Sequence, residues 1–275
     1  MQKFATSTDI AIRYLASSEA IESIRADPYW PKWASPWWQM TALYELGEAR
    51  RIPAIAVRKM IEKINAHYLK SFPFNEEELP RGVDPYRHVA CHCALGTIYQ
   101  VLWACGIDVD DELPWIRPWF LKYQLPDGGL NCAESAYTES RKSSMVSTLP
   151  PLEAILCCTD RDFSDDEKGF LDRGANYLVE HKLFRSKTTG EILDERWLKP
   201  CFPRFYEYDV LRGLRFLSKW AQKRAKRFPV EAAREGLEIL SGKVSQGTIK
   251  LERLAYDEQE TLTHRNGKWC RFPRS

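Results

Sequence analysis

The sequence predicts an all-α chain of repeated helical hairpins that closes into an α/α toroid around a central cavity. Three observations carry this expectation. Apolar residues recur at helical spacing almost throughout, as in Leu43, Leu46, Ile55, Met60, Ile61 and Ile64, or Ile98, Val101, Leu102 and Cys105. Alternating strand-like runs are scarce. Breakers return regularly at Arg51-Ile52-Pro53, Asp108 to Asp111, Ser164 to Glu167 and Phe228 to Glu231, roughly 55–60 residues apart, the size of two helices and their connections.

Taken in order, an opening helix spans Asp9 to Ile24 and has no obvious first partner. Four apolar helices follow at Trp38 to Leu46, Cys91 to Cys105, Leu149 to Cys158 and Val210 to Trp220. Each leads through a polar turn into a more charged helix: Ala54 to Leu69, Leu113 to Tyr123, Glu167 to His181 and Pro229 to Leu240. The turns supply N-cap chemistry, with Ser164 and Glu167 in capping-box register. Gly-bearing loops at Gln124 to Leu130, Ser186 to Ile192 and Ser245 to Ile249 end the later units. Apolar first helices suit an inner ring buried on both sides, and charged second helices an outer one. Aromatic residues recurring at one set of loops favour closure over an open solenoid. The expectation is a single domain over residues 1–275 with four to five hairpins, an incomplete ring included.

Composition narrows the function classes. The chain has 275 residues and is 44% hydrophobic, enough for one sizeable core. Its 40 basic and 38 acidic residues give a net charge of +2, which argues against nucleic-acid binding. The densest basic run, Lys219 to Arg227, reads as a solvated helix face. No signal peptide or membrane span is visible, and eight cysteines without a secretory leader suit free thiols in a reducing, cytoplasmic setting. Ten tryptophans, many near helix ends, either lock helices together or line a cavity for an apolar ligand. Oligomeric state is not legible.

One loop carries a specific likeness. Trp119-Phe120-Leu121-Lys122-Tyr123-Gln124-Leu125-Pro126-Asp127-Gly128-Gly129-Leu130 resembles the Gln- and Gly-containing repeat of terpene cyclases and protein prenyltransferase β subunits, with Leu130 at the aromatic position. Tyr208 to Leu214 also resembles the start of an inner helix in that superfamily. The resemblance implies an α/α toroid with an apolar cavity and isoprenoid chemistry. Fold kinship does not transfer function, so the site residues have to be argued separately.

Four stretches are candidates. In Arg87-His88-Val89-Ala90-Cys91-His92-Cys93, His88 and His92 stand i,i+4; on one helix they share a face and can ligate one metal, with Cys91 nearby. The resemblance names that metal as zinc, although the family's Asp-x-Cys pattern is absent; Asp209 or Cys132 could add a third ligand. Asp108-Val109-Asp110-Asp111 matches the Asp-x-Asp-Asp motif of class II terpene cyclases, but its place between two helices makes helix capping the expected role. The long connection from Leu130 to Ser144 holds Cys132, a nucleophile if a base stands beside it. Pro200 to Asp209 sets Arg204 and Asp209 among Tyr206 and Tyr208 at an inner-helix start, either as a pocket or as a structural ion pair packed by aromatics.

The resulting expectation assigns Asp209 and Cys132 to catalysis, Trp38, His88, His92, Arg204, Tyr206 and Tyr208 to substrate binding, and His88 and His92 to the metal. The chain is then a prenyltransferase- or terpene-cyclase-like protein binding an apolar or isoprenoid-type molecule. Its rivals are a non-catalytic helical scaffold with a self-filled cavity and a carbohydrate-active α/α toroid. The shortage of carboxylates at helix starts counts against the last.

Overall fold

The computed structural model describes residues 6–72 and 79–255, together with the backbone of 262–265 and 268–271. The protein is predominantly helical: α1 (Ser7–Leu15), α2 (Ser18–Ala26), α3 (Pro36–Glu45), α4 (Ala54–His67), α5 (Pro85–His88), α6 (His92–Ala104), α7 (Val109–Glu112), α8 (Ile116–Lys122), α9 (Met145–Cys157), α10 (Asp165–Glu180), α11 (Val210–Lys223) and α12 (Val230–Gly242). Two short antiparallel hairpins complete it, β1 (Val244–Ser245) with β2 (Thr248–Ile249) and β3 (Leu262–Arg265) with β4 (Lys268–Arg271). No helix among the described residues is long and apolar enough to cross a membrane. The chain falls into two compact units, one of residues 1–90, 98–115 and 256–275, the other of 91–97 and 116–255.

In the first unit the expected opening helix is two helices. Ser17 breaks it by capping: its side chain accepts from the Ala20 N–H at 3.2 Å, an alternative to continuing the helical ladder. The halves pack on each other, α1 also on α3 and α2 on α4, so the segment that lacked a partner is itself a hairpin. α1 starts in a capping box of Thr6 and Asp9. α3 starts with Pro36 at a position whose N–H has no helical partner anyway, and buries Trp37, Trp38, Met40 and Leu43. α4 buries Ala56, Val57, Met60, Ile61 and Ile64, one stripe at i, i+3 and i+4. Asp108 caps α7, accepting from the N–H groups of Asp110 and Asp111, and Tyr99 donates to Asp110 at 2.6 Å. The Asp-x-Asp-Asp run is therefore a helix cap.

In the second unit α9 packs between α10 and α11, α11 also meets α12, and α10 meets α12. Like helices of successive hairpins are thus neighbours. α9 is buried along nearly its whole length, Met145 to Leu156. It contains Pro150 and Pro151, which remove two backbone donors. Gly96 lies against that step: a Cβ there would stand 2.4 Å from Pro150 C and Pro151 N. α10 begins with the expected Ser164–Glu167 capping box, and Glu167 is further paired with Arg117 and Arg161, each at 2.8 Å. α11 departs from the expected inner-ring character. Leu211, Arg215, Ser218, Gln222 and Lys223 are exposed, because only one face of this amphipathic helix meets the core. Its buried Arg212 reaches Glu153 of α9 at 2.6 Å and donates to the carbonyls of Phe205 and Glu207. At its far end Asp172 gathers Arg224 at 3.1 Å and Lys226 at 3.8 Å, and the rest of the basic run is largely solvated.

Candidate metal centre

The site in the second unit begins with two chain segments. Cys91 is the last residue before α6, its carbonyl accepting from the Leu95 N–H at 2.9 Å, and His92 and Cys93 open the first turn. The other segment follows α8. Leu125 closes a tight turn with Gly129, in which Gly128 takes φ +94°, and a Cβ there would meet the Arg173 carbonyl at 2.4 Å. Only glycine fits that position. Gln124 donates to Gly128 O and Phe170 O at 2.7 and 2.9 Å and accepts from Arg173. Asp127 accepts from the N–H and hydroxyl of Ser143, closing the connection on itself. Thr148 of α9 then fixes Leu130, accepting from its N–H at 2.8 Å. From Leu130 the chain brings Asn131 and Cys132 to the start of α6.

There the sulfurs of Cys91, Cys93 and Cys132 all lie within 4.8 Å of one another. Cys91 and Cys93 are 3.0 Å apart, Cys93 and Cys132 3.6 Å. A tetrahedral thiolate site with metal–sulfur bonds of about 2.3 Å has edges of about 3.8 Å, so this cluster could hold a metal ion with small adjustments. Cys93 is buried, while Cys91 and Cys132 are half-buried. Burial pushes the Cys132 thiol up, but hydrogen bonds from Cys91, Cys93 and His92 outweigh it and hold Cys132 well below the ordinary cysteine value. Through their hydrogen bonds to Cys132, Cys91 and Cys93 are held above it.

His92 is fully buried. Its Nδ1 donates to the Asn131 carbonyl at 2.8 Å, which fixes the proton on that nitrogen because a carbonyl can only accept. Tyr137 braces the same carbonyl: its hydroxyl donates to Asn131 O at 2.9 Å and accepts from Asn131 N–H at 3.1 Å. Around the imidazole stand Trp119, Phe120, Tyr123 and Tyr137, with ring centroids 5.9–6.4 Å away. Tyr206 lies close enough to feel the charge of the cluster. Its phenol is pushed up by burial first and then by Glu207 and the three cysteines.

Of the residues the sequence singled out, Cys132, His92 and Tyr206 come together here. His88 does not share a helix face with His92, since it ends α5 and the chain is non-helical from Val89 to Cys91 before α6 begins. The i,i+4 spacing therefore never becomes the expected pair of ligands on one helix. In the first unit His88 stacks on His67, centroids 4.6 Å apart, and donates from Nδ1 to Asp84 O. Trp38 packs there against Tyr29 and Trp33. Asp209 is buried as the N-cap of α11, with one oxygen accepting from Arg212 N–H at 2.7 Å and the other from Cys201 N–H at 2.9 Å. Tyr208 donates to Leu183 O at 2.7 Å. Arg204 is half-buried, and its charge helps hold Glu153 low, although burial opposes this and Arg212 does more. Sequence reasoning passed over Cys93, Asn131 and Tyr137; the Cys-x-Cys spacing at 91–93 was the available signal. Comparison of this chain with protein families, curated proteins and solved structures finds no match.

Proposed function

We propose that the chain is a zinc protein of prenyltransferase-like function. In this reading Cys91, Cys93 and Cys132 hold the ion, and His92 would have to move Nε2 closer to complete the set. One observation carries the proposal: three cysteine sulfurs converge within 4.8 Å beside an imidazole whose Nδ1 is already committed to a backbone carbonyl. Metal-bound histidines anchor their other nitrogen in this way, which orients the ring and fixes its tautomer. Soft thiolates with one imidazole select zinc over the hard cations. Zinc in such a set lowers the pKa of a sulfur bound to it and makes that sulfur nucleophilic. The protein's own residues do the rest. The rings of Trp119, Phe120, Tyr123 and Tyr137 around His92 support an apolar, isoprenoid-type ligand, and Cys91 and Cys132 are half-buried. Closure of the helices into an α/α toroid belongs to the same proposal. The side-by-side arrangement of α9 with α11 and of α10 with α12 supports it.

A second reading rests on the hydrogen bond between His92 and Cys132. Without a metal Cys132, held low by its neighbours, is a nucleophile with a base beside it. A native mass spectrum of the protein purified from cells separates the readings. Zinc, one ion per chain and lost in Cys93→Ser, is the expected result, with an apolar organic adduct accompanying it. A metal-free mass with one cysteine alkylated far faster than the others favours the nucleophile. Zinc in a protein that shows no affinity for isoprenoid diphosphates leaves a metal-stabilised helical scaffold and removes the prenyltransferase part.

A further inference from the structure

The Cys cluster also has the geometry of a redox switch. Two of its cysteines, Cys91 and Cys132, are half-buried, and the third, Cys93, is buried with its sulfur 3.6 Å from that of Cys132. Cys93 belongs to the first turn of a helix, whereas Cys132 comes from a separate connection 39 residues later. A bond between them joins two segments that already touch. The Cys91 and Cys93 sulfurs are closer still, at 3.0 Å, but a bond between them would span a single intervening residue and close a small, strained ring.

We propose that a hydroperoxide converts Cys93 and Cys132 into a disulfide and that this releases the metal, so that metal occupancy of the site reports the oxidation state of its surroundings. The inference rests on the metal reading above. The Cys132 sulfur attacks the peroxide, an S–O bond forms and the O–O bond breaks; the departing oxygen leaves as water or alcohol after taking a proton. The Cys93 sulfur then attacks the Cys132 sulfur, the S–S bond forms, and the S–O bond breaks with loss of water. Two electrons pass from the two sulfurs to the peroxide. Cys91 and His92 remain as two ligands, too few for a thiolate zinc site, and the ion leaves as Zn²⁺. A thiol reductant reverses the crosslink and restores the site.

The test uses the full zinc-loaded chain. Hydrogen peroxide is added in equimolar amount, zinc release is followed with a chromophoric chelator, and the product is mapped by proteolysis and mass spectrometry without reduction. Loss of the zinc together with a Cys93–Cys132 linked peptide, both reversed by dithiothreitol, is the expected result. The same behaviour in Cys157→Ser shows that the half-buried thiol outside the cluster takes no part. Zinc retained with all thiols intact, or thiols oxidised without a link between residues 93 and 132, overturns the switch and leaves the metal reading standing. A reduced protein that binds no zinc overturns both, and is recognised before any peroxide is added.

Discussion

The two units each bury a polar cluster that contains histidine, and the clusters are built on opposite principles. In the first unit Asp27 accepts from the N–H groups of Tyr29 and Trp30, each at 2.9 Å, and from Arg87 at 3.1 Å, with His67 Nε2 a further 3.7 Å away. His67 donates to Arg87 O and His88 to Asp84 O. Donors meet acceptors, and a carboxylate meets a guanidinium, so the cluster neutralises itself. In the second unit three sulfurs, all electron-pair donors, converge next to buried His92. Such a group could be completed by a cation. The difference shows why a histidine in a sequence says little until its partners are known. His88 belongs to a self-sufficient network, and His92, four residues later, stands next to a cysteine cluster that could hold an ion.

The contrast can be broken most directly through the metal. Cys93→Ser removes a ligand and should weaken zinc binding roughly 100-fold or more, beyond the usual cost of an indirect contact. His88→Ala should leave the affinity unchanged. Competition against a chromophoric chelator measures both, and an equal loss in the two variants would end the comparison. Next in size is Asp27→Ala, which orphans two backbone donors. It should destabilise the protein by about 2–3 kcal/mol in urea unfolding while zinc stoichiometry stays the same. Tyr137→Phe removes the hydroxyl that braces the Asn131 carbonyl. Zinc affinity should fall about 10-fold with little change in the urea midpoint, since the aromatic ring is kept; unchanged affinity would show that Asn131 needs no brace.

The smallest expected effect is a pH dependence in the first unit. Burial is the main cause that lowers His67 to about 4 from its ordinary 6.5; Asp27 works against it and His88 with it. A depressed histidine is neutral in the fold and charged in the unfolded chain, so the unfolded state binds more protons between these values. Stability should therefore be full above about pH 6.5, decline as pH falls towards about 4, and level off below. His67→Gln should flatten that part of a plot of urea midpoint against pH. A slope identical in the variant would assign the effect to other groups.

Helix identity was legible where local chemistry decides it. Ser164 and Glu167 close their capping box, Asp108 caps α7, and the stripe of Met60, Ile61 and Ile64 is buried. The break at Ser17 was not, because the helical spacing runs through it and hides the cap that Ser17 supplies to α2. The apolar character expected over Val210 to Trp220 did not weigh Arg212, Arg215 and Lys219 within that span. For the site, the sequence supplied Cys132 and His92 but attached His92 to His88. What it could not display is the path of the connection from Gln124 to Ser144. Hydrogen bonds from Asp127 and Thr148 hold that path, and they bring Cys132 to a Cys-x-Cys pair far away in the chain.

The approach of Gly96 to the Pro150–Pro151 step bears on ancestry. At 2.4 Å, even a methyl group at position 96 would collide with backbone, which cannot turn aside as a side chain can. Descendants of this chain could replace most of their surface and much of their core, one residue at a time, without passing through a misfolded ancestor. Position 96 has no such freedom unless the helix facing it shifts in the same lineage. A glycine in the second turn of an apolar helix, matched by a proline pair inside a later one, is therefore a signature by which distant kin could be recognised after other likeness has faded.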